Sequence, residues 1–265
     1  MARRHALALV HPRSAPALAA LPRRALVAGV SLVAGIGLLY LGARETPLFA
    51  LEEVTVAGAP PAVRTAILRE TGEARGESLV ALDGSALVRR LEALPSVLSV
   101  RYDRAFPHTL RLFVQPERPL AVVREGTSAW VVSERGRVIR EAEAGKARAF
   151  PKIRLPAETR LTLGAFIADP GARTVLRALA ELPGRFPLRV HAARFEGGEL
   201  TFVLAGTGGI RPELRLGEPT AVGVKLAAAG LVLRSLHADE RASLGYLDVS
   251  LPDRPVAGSN SQVST

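Results

Sequence analysis

The hydrophobic pattern of the chain changes character once, near its start. Ala25 to Ala43, ALVAGVSLVAGIGLLYLGA, runs for 19 residues without a charge, between Arg23-Arg24 and Arg44-Glu45. As a helix it reaches about 28 Å, close to the ~30 Å hydrocarbon core of a bilayer. It lacks the polar stripe that a helix of this length on a globular core would carry. The pattern predicts a single N-terminal transmembrane helix at residues 25–43, preceded by a tail at 1–24 and followed by a folded exterior.

Beyond the span the apolar positions alternate or recur at helical spacing. Leu51 to Ala57, LEEVTVA, reads as a strand that stops at Gly58 before Pro60-Pro61. Ala62 to Glu70 reads as a short helix with Val63 and Ile67 on one face, broken by Gly72 and Gly76. Asp83 or Ser85 can cap a second helix that carries Leu87, Val88, Leu91 and Leu94 and ends at Pro95. Val97 to Arg104 and Thr109 to Glu117 are alternating strands joined by Ala105-Phe106-Pro107-His108. The order is β-α-α-β-β, which buries its stripes most simply as two helices on one face of a three-stranded sheet.

A second region follows. Strands are expected at Leu120–Arg124, Ala129–Val132 and Arg137–Arg140, then a polar stretch from Glu141 to Arg148. A helix at Ala172–Leu182 precedes strands at Leu188–Glu196, Leu200–Leu204 and Glu213–Leu216. A longer helix is predicted from Pro219, suited to a first helical turn, to Leu236, with Val222, Leu226, Ala229, Leu233 and Leu236 on one face. Leu244 to Ser250 is a strand, Arg254 to Gly258 a short last one, and Ser259 to Thr265 a polar tail expected to be disordered. The fold class is α+β, ending in a mixed β-sheet domain flanked by helices.

Charge sets the orientation. The tail carries Arg3, Arg4, Arg13, Arg23 and Arg24 without an acid and supplies half of the formal net charge of +10. Basic residues beside a span stay cytoplasmic, which places the domains outside. A cleaved signal peptide is the competing reading, but its apolar core is shorter and its cleavage site needs small residues. Past the span, basic and acidic residues are interspersed, giving a solvated surface rather than a nucleic-acid footprint. There are no cysteines, hence no disulfides or thiolate metal sites.

Catalytic constellations do not emerge. His5, His11, His108, His191 and His237 are scattered, and none pairs at i, i+4 with another ligand. His108 reads as a surface turn residue and Asp239-Glu240 as a solvated helix-end pair. Gly206-Thr207-Gly208-Gly209 lies between strands and reads as a hairpin turn rather than a phosphate loop. No cofactor, metal or small-molecule substrate is indicated.

The punctuation of the exterior is nonetheless specific. V-T-V-A-G at Val54–Gly58, S-L-V-A-L-D at Ser78–Asp83, L-P-S-V-L-S-V-R-Y at Leu94–Tyr102 and F-P-H-T-L-R-L-F-V-Q-P-E-R-P-L-A at Phe106–Ala121 follow in order. Trp130-Val131-Val132, with Ser133 where Asp is usual, Gly136-Arg137-Val138-Ile139, Arg215-Leu216-Gly217, Lys225-Leu226 and Y-L-D-V-S-L-P-D-R-P-V-A-G at Tyr246–Gly258 complete the series. Together these resemble the bacterial cell-division family FtsQ/DivIB.

The resemblance implies a POTRA domain at 49–119, an FtsQ-type β domain at 120–258, and a non-enzymatic, single-pass protein of the inner membrane at the division septum. It implies docking of the coiled-coil pair FtsB/FtsL (DivIC/FtsL) by strand addition at the C-terminal β edge. Other divisome membrane proteins are then expected at the POTRA domain. The physical basis is that an edge strand leaves N–H and C=O groups for an incoming segment to pair. The candidate residues are Ser250, Leu251, Asp253, Pro255, Val256, Ala257 and Gly258.

Pro255 admits two readings: it blunts the edge against aggregation, or it turns its missing donor away and leaves Val256 to Gly258 free to pair. Leu247 and Val249 read as sheet packing, and Tyr246 is left between packing and partner contact. The Arg-rich face of the first domain (Arg64, Arg69, Arg75, Arg89, Arg90) reads as a solvated helix surface, with anionic membrane lipid as its other candidate contact. Two alternatives stand beside the scaffold. A membrane-anchored envelope enzyme would need a concave pocket near His191 or His237. A POTRA component of an export or assembly machine would need a run of amphipathic strands for a barrel.

Overall fold

The computed structural model describes residues 23–45, 47–125, 127–143, 145–156 and 159–259. Of the expected basic tail, residues 1–22 lie outside these. The apolar segment forms one helix, α1 (Arg23–Glu45). Its large apolar side chains from Leu26 to Leu41 are exposed on every face, none less than 52%. Side chains are described continuously for residues 26–42, about 26 Å of helix. Among the described residues no helix is long and apolar enough to cross a membrane.

A three-stranded unit follows. Its elements are β1 (Glu53–Ala57), α2 (Pro61–Glu70), α3 (Gly84–Ala93), β2 (Val97–Ala105) and β3 (Thr109–Pro116). The strand order is β1-β3-β2, with β1 parallel and β2 antiparallel to β3. Pro61 starts α2 because a first-turn residue needs no N–H donor. Asp83 starts α3, its Oδ1 accepting from the backbone N–H groups of Ser85 and Ala86, both at 3.0 Å. The periodic residues of both helices, Ile67, Leu87 and Leu91, meet Val100, Leu110, Leu112 and Val114 in a single core. At the turn after β1, Gly58 takes φ +82°, and a Cβ there would collide with the Val114 carbonyl.

The larger unit contains β4 (Pro119–Glu125), β5 (Ser128–Ser133), β6 (Val138–Glu141), β7 (Lys152–Ile153), α4 (Pro170–Ala180), β8 (Arg189–Glu196), β9 (Glu199–Ala205), β10 (Glu213–Gly217), α5 (Val222–Ser235), α6 (Ala238–Ser243), β11 (Leu244–Asp248) and β12 (Val256–Ser259). These strands form one nine-stranded sheet in the order β12-β11-β10-β9-β8-β7-β4-β5-β6. The joints β4–β7, β7–β8 and β10–β11 are parallel and the rest antiparallel. Helices α4 and α5 cover one face, where Val175, Leu176, Leu179, Leu226, Ala229 and Leu233 pack on Val123, Val190, Phe202, Leu214 and Leu247. A smaller cluster of Val122, Val131, Ile139 and Phe150 covers part of the opposite face at the β4–β5–β6 end. From β8 to β12 that face is open.

Four elements differ from the sequence reading. Helix α5 begins at Val222, not Pro219, because Lys225 is buried and its Nζ donates to the carbonyls of Leu216 and Glu218, each at 2.8 Å. Those bonds hold Glu218 to Ala221 as a loop, with Ala221 at φ +49°. Strand β7 sits in the middle of the sheet although it spans only two residues. Asp239 and Glu240 form the first turn of α6. Ser259, expected to open the polar tail, lies in β12, while residues 260–265 are outside the described set. The 206–209 turn joins the antiparallel neighbours β9 and β10, as its glycines suggest.

The two units are joined through Arg137. Its Nε donates to Gly164 O at 3.0 Å, while its terminal nitrogens reach Val97 O (2.8 Å), Ala93 O (3.1 Å) and Glu92 O (3.3 Å). The guanidinium thus caps the C-terminal carbonyls of α3 from the larger unit. Ser133, at the position where Asp is usual, is fully buried and its Oγ accepts from Arg137 N–H at 3.1 Å, fixing the same turn.

Candidate partner-docking edge

Strand β12 is the outermost strand of the large sheet, paired with β11 on one side only. The register sets Val256 opposite Asp248, Ala257 opposite Leu247 and Gly258 opposite Tyr246. Successive residues of a strand point their N–H and C=O groups to opposite sides, so two of its four residues present both groups outward. Pro255 stands just before the strand and removes no donor from it. Val256 is 54% exposed and Leu251 66%.

Among the seven sequence candidates, Val256, Ala257 and Gly258 share this edge, and Leu251 and Asp253 are exposed in the turn that leads to it. Pro255 is exposed between them. Ser250 differs: its backbone N–H and its hydroxyl both donate to Asp248 Oδ1, at 2.9 and 2.6 Å. It also packs against Gly217, where a Cβ would come within 2.8 Å of its own. Ser250 therefore shapes the turn rather than facing out of it. Leu247 and Val249 are fully buried in the core, as their alternation predicts.

Tyr246, which the sequence leaves open, lies half-buried on the open face. The Arg215 guanidinium stacks 4.5 Å from its ring centroid. Arg215 in turn bonds Glu213 Oε2 at 3.3 Å, and Glu213 Oε1 accepts from Arg194 Nη2 at 2.7 Å. The hydrogen bond from Arg194 and the two guanidinium charges hold the Glu213 carboxyl below its usual range, against a smaller opposing effect of burial. A ladder of side chains thus crosses the open face inward from the edge. Sequence reasoning missed it, although period-2 alternation places Tyr246 opposite in direction to Leu247.

Beyond Arg194 the face hollows into a groove of about 370 Å³ lined by Arg124, Lys152, Arg154, His191, Arg211 and Glu196. Burial, with the charges of Arg211, Lys152 and Arg189, lowers the His191 pKa below its ordinary value. The pocket that an enzyme would need near His191 does exist. Its lining, however, carries no hydroxyl or thiol nucleophile among the described residues. Cations predominate, so its chemistry is attraction of anions. His237 caps the exposed helix α6 and lines no pocket wall there.

His108 is more than a surface turn residue. Its Nδ1 lies 3.1 Å from Ala50 O, and its own carbonyl accepts from Glu52 and Glu53 N–H, at 3.0 and 3.2 Å. In the three-stranded unit, Arg90 pairs with Glu73 at 3.2 Å on a solvated surface.

Residues 49–116 match the family model of the FtsQ-type POTRA domain. Most of the chain is similar to proteins named cell division protein FtsQ. That of Myxococcus fulvus is 29% identical over 250 residues, covering 87% of this chain and 85% of that protein. That of Geobacter sp. is 27% identical over 238 residues, covering 85% and 83%. A shorter match, 29% over 140 residues, is to the Agrobacterium fabrum protein of the same name, covering 52% of this chain and 44% of that protein.

Proposed function

We propose that this chain, which its similarities place with the FtsQ/DivIB family of cell-division proteins, is a non-enzymatic scaffold that links division proteins at the septum. In this reading α1 crosses the cell membrane once, with the basic tail in the cytoplasm and the two sheet units outside. Its support is the exposure of apolar side chains around the whole helix and the rule that basic flanks stay inside. The exterior divides into a POTRA domain, 49–119, and a β domain, 120–258.

The observation that carries the reading is the open edge of β12. An extended segment of an FtsB/FtsL-like partner adds to it as a further strand, its main chain pairing with the outward groups of β12. Val256 and Leu251 supply apolar contacts. The cationic face behind the edge, from Arg215 and Arg194 to the groove, favours a partner whose neighbouring residues are acidic. Shared anchoring in one bilayer raises the effective concentration of the two chains. The POTRA domain serves as a second contact for other divisome membrane proteins.

In-cell photo-crosslinking tests this. A crosslinking residue at Val256 or Leu251 should capture a bitopic coiled-coil protein, while one at exposed Arg177 on α4 should not. Equal capture at all three positions, or none at the edge, would refute the assignment.

A further inference from the structure

The hairpin between β2 and β3 is tied to the residues that leave α1. The carbonyl of His108 accepts from Glu52 and Glu53 N–H, and its ring nitrogen meets Ala50 O. On the other side the same segment is held by Leu79 N–H to Phe49 O at 2.7 Å and Leu51 N–H to Glu77 O at 2.9 Å. The tip of the hairpin is therefore held to residues 49–53. Phe49 comes four residues after the last residue of α1, and its ring sits edge-on to Phe106 at 5.6 Å.

Leu48, Phe49 and Phe106 are apolar, and the first and last of them are open while Phe49 is half-buried. Phe106 is 54% exposed and Leu48 63%. A crevice runs from Ile36, Leu39 and Tyr40 of α1 to Leu48 and Phe49, and among the described residues its lining carries no charge. The apolar surface of the helix thus continues onto the base of the POTRA domain. An isolated exposed Phe needs no explanation, but Phe106, Phe49 and Leu48 form one surface continuous with the proposed span.

We infer that Leu48, Phe49 and Phe106 form a foot that inserts into the outer boundary of the bilayer, with the lipid headgroup and upper acyl region as its partner. The inference rests on the reading of α1 as a membrane span. Apolar side chains on a short element at the surface settle roughly 5–10 Å into the headgroup and acyl boundary. A single helix anchors a domain but leaves it free to swing. A second contact at the hairpin tip fixes its tilt and so the height of the rest of the exterior above the membrane. Phe113 provides the internal control. It is similarly exposed, at 46%, but lies along β3 on the order of 15–20 Å from the tip.

The absence of native cysteines makes the test clean, since each introduced thiol is unique. The full chain is reconstituted in vesicles containing lipids with nitroxide groups on the acyl chain. A fluorophore is attached in turn at Leu32→Cys, Phe106→Cys, Leu48→Cys and Phe113→Cys, with thermal melts confirming the fold of each variant. The foot predicts strong quenching at positions 32, 106 and 48 and little at 113. Quenching at 32 with positions 106 and 48 as unquenched as 113 would overturn the foot while leaving the span intact. An unquenched label at 32 would overturn the span and the foot with it. If Phe106→Cys disturbs the fold, Leu48→Cys reads the same contact from the other side. Quenching at 106 and 48 only after addition of a division partner would also overturn the proposal, assigning the surface to protein.

Discussion

The ring of Tyr246 lies directly against the backbone of Gly258, across the strand pair that closes the nine-stranded sheet. A Cβ at position 258 would come within 2.6 Å of Tyr246 Cζ. The same ring carries the Arg215 guanidinium on its face. The glycine therefore lets the edge strand, the tyrosine and the charged ladder behind it occupy one surface.

Gly258→Val should displace the ring and disturb both. The expected stability loss is about 1–3 kcal/mol, the usual range for overpacking. Affinity for an FtsB-like partner should fall at least about tenfold, or 1.4 kcal/mol. In a Tyr246→Ala background the stability cost of the same substitution should shrink, because the clash is gone. Thermal melts of the four combinations test the coupling. Additive losses would show that the ring is not what Gly258 accommodates.

Val256→Asp probes the edge itself. A charge on a solvated edge strand should change stability by under about 1 kcal/mol. In the proposed complex it would place a carboxylate where an apolar contact and strand pairing are expected, weakening binding by roughly tenfold or more. Titration of the full chain with an FtsB-like partner decides the matter. Unchanged affinity would remove Val256 from the interface.

Much of this architecture is written in local pattern, and the exceptions are physical. The periodic faces of α3 and α4, and alternation in β3, β9 and β10, follow directly from which residues are buried. Strand β7 gives no such signal, because two residues have no period. Lys152 and Ile153 become a strand only through parallel partners on both sides, β4 and β8, drawn from distant parts of the chain. The start of α5 departs from the pattern because the preference of proline for a first turn is weak beside two hydrogen bonds from buried Lys225.

The candidate site divides in the same way. Val256 to Gly258 are legible as a last strand with punctuation around it. The face behind them is not, since Arg194, Glu213, Arg215 and Tyr246 meet only after β8, β10 and β11 take their places in the sheet. The hold on Ser250 is local: an Asp two residues earlier captures its hydroxyl and N–H.

Glu213 should make stability depend on acid. Its carboxyl is held below the ordinary 4.5, chiefly by the hydrogen bond from Arg194. The folded state therefore binds this proton less readily than the unfolded chain. The contribution of Glu213 is fully present above about pH 4.5 and is lost as pH falls through the lowered folded value. Glu213→Gln should lower stability at neutral pH, where the contribution is fully present, and flatten the slope of stability against pH in the acidic window, so that variant and parent converge as pH falls. Denaturant titrations from pH 7 to pH 3 test it, and an unaltered acidic slope would mean that the ladder does not bind the carboxylate in solution.

Arg137 gives the sharpest test of how the two sheet units are held. One guanidinium serves carbonyls in both, reaching Glu92, Ala93 and Val97 on one side and Gly164 on the other. Four carbonyls need a planar, forked donor, which lysine cannot reproduce. Arg137→Lys should therefore fail to restore the junction. Arg137→Ala should cost about 2–4 kcal/mol, since charged hydrogen bonds are lost and the last carbonyls of α3 go unpaired. The specific signature is angular rather than thermal. Fluorophores on Arg69 and Arg177, introduced as cysteines, should report a wider distance distribution in both variants than in the parent. A lowered melting temperature with an unchanged distribution would make Arg137 a stabiliser of α3 alone, not the clasp between the units.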